Sequence, residues 1–445
     1  MQRETQAGSS RRAFLKVAAT AAVAAPYVIT SGALGGNGRP PASERITMGF
    51  IGVGTQGGGH LLGGAWTYVP GGYLARPDVQ ILGVCDVRKE RRESVTRRVE
   101  DYYGKKGRDG AYKGCEAYLD FRELLARDDI DAVLIGTPIH WHAMMTTMAA
   151  RAGKDVYCEK PTALTVSESR AVVETVRRYG RVFQAGTQQR SEYGGKYRLA
   201  CELVRSGRIG QLKEVYAYER GGGYAWNKSF GPGKPNPDPK AWDLYLGPAP
   251  DQPYDGNFDA HRFGNGGINW GQHHYDIVQW GIPGADDADP VELDVKGDRS
   301  VMRYASGVTV HGAPYPDPSL GLGPKVKFQG EGGVVFVGTE GKIAVDRQQI
   351  QANPTDILQR PLTPDDQRLY FAQSHSGNFI ECVKTRKRTI CDVGSSHRSA
   401  KLLLLAGIVE TLKRPLKWDG AAERFVGDDE ANRMLSVAYR APWRM

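Results

Sequence analysis

The sequence predicts an α/β fold: a doubly wound, mostly parallel sheet, followed by an α+β domain with a large, mostly antiparallel open sheet. From residue 46, short apolar runs alternate with helix-like stretches, which is typical of a parallel sheet covered on both faces. A glycine-rich turn joins the first apolar run to the first helix. After about residue 186 this alternation stops, and strand-like pieces separated by turns dominate residues 291–350.

The first half of the chain contains five strand-like runs with helices between them. Because these strands are apolar along almost their whole length, we expect both faces of the sheet to be buried, and we assign residues 44–185 to this first domain. The predicted strands are 46–52, 79–85, 131–135, 154–158 and 182–185, and the predicted helices are one through 61–62, then 88–103, 141–152 and 166–179.

The second half is less regular. We assign residues 186–425 to an α+β domain for substrate binding and oligomerisation, with helices at 193–206, 371–384 and 395–412 and a strand at 212–219, and residues 426–445 to a tail that packs on the body. Residues 221–267 are rich in Gly, Pro, Asn and aromatic residues without periodicity. Such a stretch predicts a lid or binding loop, with a packing arm onto another subunit as the alternative.

Composition excludes several function classes. The 445 residues carry a net charge of +9, but the basic clusters are interrupted by acidic residues, which argues against a nucleic-acid stripe. The six cysteines form no C-x-x-C pair, so we expect neither a metal site nor an obligatory disulfide framework.

The N-terminus has the pattern of an export signal. Arg11 and Arg12 precede an Ala/Val-rich run at residues 17–25, as in twin-arginine signals. The run is too short for a permanent membrane span, so we expect residues 1–35 to be a leader and the protein to be periplasmic or otherwise exported. A basic tail with a chance alanine tract is the alternative.

The glycine-rich turn fits a dinucleotide fingerprint. Gly52, Gly54 and Gly57, with Thr55 and Gln56 between them, match G-x-G-x-x-G with a strand before and a helix after. Glycines there allow the tight turn and the close approach of a pyrophosphate, as in a Rossmann NAD-binding domain. A plain flexible turn is the alternative.

Two residues after the second strand bear on the choice of cofactor. Asp86 ends that strand, where a carboxylate accepts hydrogen bonds from ribose hydroxyls and favours NAD over NADP. It lies further downstream than usual, which we attribute to an insertion around residues 66–77. Arg88 keeps NADP as the less favoured option.

Polar groups follow the later strands at the same sheet edge. Thr137 and Pro138 end the third clear strand and lead to His142, and we expect this turn to face the cofactor. Glu159, Lys160 and Pro161 end the next strand, which places the Lys160 ammonium at the mouth of the ligand crevice. A structural helix-start histidine and a surface lysine are the alternatives.

Together these motifs resemble the Gfo/Idh/MocA oxidoreductases, the family of glucose–fructose oxidoreductase and inositol dehydrogenase. The resemblance extends over nearly the whole chain after residue 44. The matching segments are 52–57, Asp86, Thr137-Pro138 with His142, 159–161, 242–248, 266–276 and 440–443.

The resemblance implies roles for individual residues. It places Lys160 and His273 beside the reacting carbon, with Glu159 on the cofactor side. Family patterns often have an aspartate four residues before the histidine, whereas this chain has Asn269, an amide that cannot relay a proton. His274, Gln188, Arg190, Arg262 and Trp226 are candidates for the substrate or the nicotinamide end, and Asp276 for bracing the helix. The resemblance also implies a homodimer or homotetramer through the second sheet.

Several functions fit these patterns. The leading interpretation is an exported NAD-dependent oxidoreductase that acts on a ring hydroxyl of a sugar, glycoside or cyclitol and retains its cofactor. A redox-neutral NAD-dependent glycosidase or epimerase, working through a transient keto-sugar, is the alternative, as is oxidoreduction between two sugars. A non-catalytic sugar-binding protein is the interpretation from another class.

Overall fold

A computed structural model describes residues 40–64, 70–106, 113–218, 231–258, 263, 266–313 and 332–445. The predicted leader, Trp226 and Arg262 lie outside these residues, as does the side chain of Asn269. The chain divides into two units, Met1–Arg45 and Ile46–Met445. In the first, the described residues form one 3-10 turn, Ala42–Glu44. Both sheets lie in the second unit.

The first sheet is parallel and doubly wound, so the predicted fold class is confirmed for this half. Its strands run in the order β3-β2-β1-β4-β5-β6. They are β1 (Ile46–Ile51), β2 (Val79–Cys85), β3 (Glu116–Tyr118), β4 (Ala132–Ile135), β5 (Asp155–Cys158) and β6 (Phe183–Ala185). The order reverses between β1 and β4, so ligands are expected beyond the carboxyl ends of these strands.

Among the described residues, six α-helices connect the strands of the first sheet. They are α1 (Thr55–Leu62), α2 (Gly72–Ala75), α3 (Lys89–Lys106), α4 (Phe121–Leu125), α5 (His142–Arg151) and α6 (Val166–Arg178). Apolar residues of alternate strand positions enter two separate clusters, one on each face of the sheet. This two-sided burial explains why the strands are apolar along their whole length.

The second sheet is mostly antiparallel, as predicted, and has nine strands in the part of the chain that the structure describes. Their order is β13-β12-β11-β7-β10-β9-β8-β14-β15, with one parallel pair, β7 with β10. The strands are β7 (Leu212–Tyr218), β8 (Pro290–Lys296), β9 (Arg299–Tyr304), β10 (Thr309–Ala313), β11 (Val334–Gly338), β12 (Lys342–Val345), β13 (Ile350–Asn353), β14 (Leu416–Asp419) and β15 (Arg424–Phe425).

Helices cover one face of this sheet. Val215 and Phe336 on the sheet share one core with Tyr275 and Leu404 on two of the helices. The helices of the second half are α7 (Lys196–Arg205), α8 (Pro239–Leu246), α9 (Gly266–Gly281), α10 (Asp356–Gln359), α11 (His375–Thr385), α12 (Val393–Leu412) and α13 (Asp429–Arg433).

Two segments from the second half of the sequence pack on the first sheet. Phe379 of α11 lies in a core of that sheet, with its ring 5.8 Å from that of Tyr157 on β5. Near the C-terminus, the ring of Trp443 lies 4.7 Å from that of Trp141. The order of segments in the sequence therefore does not map simply onto the two sheets.

The helix α8 lies within the stretch expected to be a loop. Asp238 caps it by accepting a hydrogen bond from Ala241 N at 2.9 Å, and Pro239 occupies the first helical position. Trp242 and Tyr245 are buried among Phe258 and Phe263, so this part of the stretch is packed. No helix in the described part of the chain is long and apolar enough to cross a membrane.

Candidate active site

A cavity of about 760 Å³ opens at the carboxyl ends of β1, β2, β4 and β5. The first half of the chain supplies the glycine turn, Asp86 and the segment Glu159–Pro161. The second half supplies aromatic residues of α8 and its flanks, His273 of α9 and Arg347 of the turn after β12. A cavity walled by both halves, at the strand-order reversal, is the expected place for a cofactor and a substrate to meet.

The glycine turn has the geometry that a pyrophosphate requires. Gly52 has φ +81°, a conformation that favours glycine. A Cβ on Gly57 would lie 1.9 Å from the carbonyl oxygen of Gly52, so only glycine fits where α1 starts. Gly54, Thr55 and Gln56 line the cavity at the N-terminus of α1, and Gly54 provides no side-chain cap. The backbone N–H groups of this helix end therefore remain available for an anion.

Asp86 lies at the end of β2 and lines the same cavity. Its carboxylate accepts hydrogen bonds from Val53 N at 3.0 Å and Arg88 N at 2.9 Å. Burial raises the pKa of this carboxyl group, against the opposing effect of those two backbone hydrogen bonds. The two contacts fix the carboxylate beside the glycine turn, where remaining lone pairs can accept hydrogen bonds from a ribose. Arg88 and Arg91 also line this end.

Glu159 is the centre of a buried polar network under Lys160. Its Oε1 lies 2.7 Å from His60 Nε2 and accepts a hydrogen bond from Gln188 Nε2 at 2.9 Å. Gln188 also donates to the hydroxyl of Tyr157 at 3.0 Å. Burial alone would raise the pKa of Glu159, but the hydrogen bond from His60 and the charges of His60 and Lys160 lower it to about 2. The side chain is therefore a buried carboxylate at neutral pH.

His142 ties two turns of the cavity wall together. Its Nδ1 lies 2.6 Å from the carbonyl oxygen of Pro161, and its Nε2 lies 2.8 Å from that of Thr137. Burial lowers the pKa of this imidazole. A neutral ring donates a hydrogen bond to only one of these carbonyl oxygens at a time. Because the ring is buried between the two turns, we assign His142 to holding the segment after Lys160 in place and not to acting as an exposed base.

Lys160 and His273 come from different halves and line the same cavity. Gln272, the neighbour of His273, links the two segments: its side-chain oxygen accepts a hydrogen bond from Thr162 N at 2.9 Å. Burial, followed by the charges of Lys160 and Arg347, lowers the pKa of His273 well below 6.5. At neutral pH the imidazole is uncharged and can accept a proton.

Two of the predicted substrate residues lie elsewhere. Arg190 is buried and does not line the cavity; its Nε and Nη2 donate to the Asp276 carboxylate at 2.7 and 2.8 Å. A guanidinium held in this way braces α9 and is not available to a substrate, so we replace its predicted role by a structural one. His274 is also buried and is not among the residues that line the cavity. Arg262, Trp226 and the side chain of Asn269 lie outside the described residues.

Several residues of the cavity wall were not predicted from the sequence. Arg347 and Tyr193 line the cavity near His273, and Tyr245, Phe258 and Phe263 form an aromatic wall. His60, the partner of Glu159, could have been suspected only from its position on the helix that follows the fingerprint. The described residues hold no group of three His, Cys, Asp or Glu side chains placed to bind a metal, and all six cysteines are free and buried.

Comparison with known proteins gives two family matches. Residues 46–187 match the GFO_IDH_MocA oxidoreductase family with an NAD-binding Rossmann fold, and residues 201–445 match the C-terminal alpha/beta domain of the same family. A glycosyl hydrolase family 109 protein of Shewanella baltica is 33% identical over 174 residues, which are 39% of this chain and 34% of that protein. An alpha-N-acetylgalactosaminidase of Shewanella oneidensis is 33% identical over 173 residues, with the same shares. The matched segment therefore spans about a third of the length of these relatives.

Solved structures share the fold at low sequence identity. An aldose-aldose oxidoreductase from Caulobacter crescentus, complexed with glycerol, superposes with a TM-score of 0.54 at 18% identity, covering 84% of this chain and 99% of that one. The WlbA dehydrogenase from Bordetella pertussis, in complex with NADH and UDP-GlcNAcA, gives a TM-score of 0.54 at 16% identity, with coverages of 84% and 99%. The family matches to both halves show that the chain belongs to the Gfo/Idh/MocA oxidoreductase family and that its first sheet is part of an NAD-binding Rossmann domain.

Proposed function

We propose that the protein oxidises a ring hydroxyl of a sugar, glycoside or cyclitol, or reduces the corresponding ketone, with NAD held in the cavity. One observation carries this proposal: Lys160 and His273, an ammonium and a neutral imidazole, line the same cavity as the dinucleotide turn. This combination is suited to proton movement at a hydroxyl group next to a nicotinamide.

The residues present fit NAD. The α1 N-terminus and the Gly52–Gly57 turn would hold the pyrophosphate, and Asp86 would accept hydrogen bonds from the ribose. Thr137, Pro138 and Gln188 line the same cavity. Bound NAD would supply the hydride acceptor.

Lys160 and His273 would divide the handling of the proton. The Lys160 ammonium donates a hydrogen bond to the substrate hydroxyl and lowers the pKa of that hydroxyl. His273, whose ring is neutral before the reaction, then accepts the hydroxyl proton. The buried Glu159 carboxylate places a negative charge next to Lys160, and that lysine is one of the causes that lower the pKa of Glu159.

A second candidate function is redox-neutral cleavage of a glycoside. It is supported by the names of the relatives, glycosyl hydrolase family 109 proteins and an alpha-N-acetylgalactosaminidase, although the match covers about a third of their length. The proposed export favours the same chemistry, because a cofactor that leaves the cytoplasm bound to the protein must be regenerated in each turnover.

Export and assembly through the second sheet are likewise proposals. Export is tested by cell fractionation of an Arg11→Lys, Arg12→Lys variant, and assembly by the mass of the protein in solution.

The discriminating experiment uses the purified full-length protein without added cofactor. The protein is denatured, released NAD(H) is quantified by mass spectrometry and absorbance, and the native protein is incubated with a panel of nitrophenyl glycosides. Retained NAD(H) with nitrophenol release supports the glycosidase. Retained NAD(H) whose absorbance at 340 nm rises with a carbohydrate supports net oxidation. If the protein retains no nucleotide and has no affinity for NAD, both enzymatic functions are excluded and the non-catalytic sugar-binding protein is supported.

A further inference from the structure

His60 connects the helix α1 to the segment that carries Lys160. It is buried, and its Nε2 lies 2.7 Å from Oε1 of Glu159, the residue before Lys160 and 99 positions away from His60 in the sequence. Because Glu159 is ionised at neutral pH, the imidazole N–H donates this hydrogen bond and the carboxylate accepts it. The bond therefore joins the helix that follows the dinucleotide turn to the segment that follows β5.

The Glu159 carboxylate is in turn in contact with the backbone of Lys160. Its Oε2 accepts a hydrogen bond from Lys160 N at 3.3 Å, while Oε1 also accepts one from Gln188 Nε2 at 2.9 Å. A Cβ on Gly186 would lie 2.6 Å from Oε1, so the chain after β6 packs closely against the carboxylate. The position of this carboxylate is thus closely defined, and His60 is one of the groups that define it.

The helix α1 also carries the groups that face the cofactor. It begins at Thr55, and His60 lies five residues later, about 7.5 Å along the helix axis. Gln56, on the first turn, lines the cavity and has its amide nitrogen 3.4 Å from His60 Nε2. One short helix would therefore hold the pyrophosphate at its N-terminus and the Glu159 carboxylate at its third-last residue.

The charge state of Glu159 depends on His60. Burial raises the pKa of this carboxyl group, and the hydrogen bond from His60 is the largest of the effects that oppose burial. Loss of His60 would therefore raise the pKa of Glu159. The titratable groups within electrostatic range of the carboxylate are His60, Tyr73, His142, Tyr157, Cys158, Lys160 and His375.

We infer that His60 is a positioning residue: through Glu159 it holds Lys160 in register with the cofactor bound at the start of α1. This inference rests on the proposed function and adds to it a residue that the sequence comparison of motifs did not assign. His60 is not among the described residues that line the cavity, so it acts through Glu159 and does not touch the substrate.

The test uses the full-length protein loaded with NAD. His60→Ala removes the donor, and His60→Gln restores an N–H donor of similar reach. His60→Asn, whose side chain is too short to extend to the position of Nε2, gives the same comparison if the alanine variant does not fold. His397→Ala is the matched control, because His397 Nε2 also lies 2.6 Å from a carboxylate, Oε1 of Glu423, and His397 is not among the residues that line the cavity.

The probes are D-glucose, D-galactose, N-acetyl-D-galactosamine and myo-inositol. Reduction of the bound nucleotide is followed in single turnovers at 340 nm, and the affinities for NAD and for the reacting carbohydrate are measured by tryptophan fluorescence. His60→Ala should lower the rate of reduction by about 10- to 100-fold and change either affinity by less than about threefold, as expected when a reacting group is misplaced. His60→Gln should recover most of the rate, and His397→Ala should keep the wild-type rate.

The pH profile gives a second readout. Since the reaction needs an ionised Glu159, a raised pKa of this group should move the acid limb of the rate–pH profile to higher pH in His60→Ala. In His60→Gln the limb should return toward its wild-type position. A residue that only filled space would change the stability of the protein without moving this limb.

A double variant tests whether His60 acts through Glu159. In a Glu159→Gln background, adding His60→Ala should lower the rate by less than about threefold, because the carboxylate on which His60 acts is already gone.

Fully additive losses, or a wild-type rate in the folded His60→Ala or His60→Asn variant, overturn the inference and leave the proposed function intact. A loss of NAD affinity at an unchanged rate also overturns it, because His60 would then serve the cofactor site alone. If none of the four carbohydrates reduces the nucleotide bound to the wild type, the proposed function and the inference fall together.

Discussion

Replacing Gly57 by alanine should disrupt the dinucleotide turn. The added Cβ would lie 1.9 Å from the Gly52 carbonyl oxygen, about 1.5 Å short of an ordinary contact at 3.4 Å. Gly52 cannot yield easily, because its N–H donates a hydrogen bond to Cys85 O at 2.8 Å and the Thr137 backbone is close: a Cβ on Gly52 would lie 2.7 Å from Thr137 N. The start of α1 must therefore move away from the strand.

The magnitude follows from two opposing effects. Overpacking against rigid atoms costs about 1–3 kcal/mol, and alanine in a helix regains about 1 kcal/mol relative to glycine. Because the clash is with a backbone atom, we place the cost at the upper end and expect a net loss of about 2 kcal/mol. Displacement of the amides that face the pyrophosphate should weaken NAD binding by about 100-fold, equivalent to about 2.7 kcal/mol.

Gly407→Ala is the matched control. Gly407 also lies within a helix, α12, but a Cβ there would meet nothing within 4 Å. We expect this variant to gain about 0.5–1 kcal/mol and to bind NAD as the wild type does. The assays are urea unfolding followed by tryptophan fluorescence and NAD titration of the stripped protein. Wild-type affinity for NAD in Gly57→Ala would refute the assignment of this turn.

Three further predictions concern pH and the C-terminal tail. Burial raises the pKa of Glu168 from 4.5 to about 7, so folding takes up a proton. The contribution of this carboxyl group to stability therefore falls as the pH rises from about 4.5 through 7. In Glu168→Gln the free energy of unfolding, measured with urea, should depend less on pH between about pH 5 and 7 than in the wild type. Removing the charge of Arg347 should raise the pKa of His273, so the acid limb of the kcat/KM–pH profile should move to higher pH in Arg347→Gln. Trp443→Ala should cost about 3–5 kcal/mol in urea unfolding and weaken NAD binding, because Trp443 packs on Trp141 of the cavity wall; unchanged values would contradict each expectation.

The fold was largely predictable because burial leaves a strong local pattern. The strand at Val79–Cys85 was predicted with its observed bounds, since a strand buried on both faces reads as a continuous apolar run. The three-residue strand Glu116–Tyr118 was missed because its side chains are mostly exposed. The helix Pro239–Leu246 was missed because it is short and surrounded by turn-forming residues, although Asp238-Pro239 is a helix-start signal.

The site was predictable where its residues follow strands of the parallel sheet. The fingerprint, Asp86 and Lys160 all stand at strand ends, which meet at one edge of such a sheet. The placement of Arg190 could not be predicted, because its partner Asp276 lies far away in the sequence and no local sequence pattern indicates that ion pair. Arg347 was missed for the same reason: a cation in a hairpin turn of the second sheet resembles any surface arginine until the fold brings it to the cavity.

The most direct test of the account is a single-turnover measurement on Lys160→Met. The variant and the wild type are loaded with NAD, mixed with a carbohydrate that the wild type oxidises, and followed at 340 nm. The account predicts equal NAD content and affinity in the two proteins, and a rate of reduction lowered by at least about 100-fold in the variant, within the range expected for loss of a group that assists proton transfer. Reduction of the bound nucleotide at the wild-type rate would contradict the role of Lys160 and with it the proposed site.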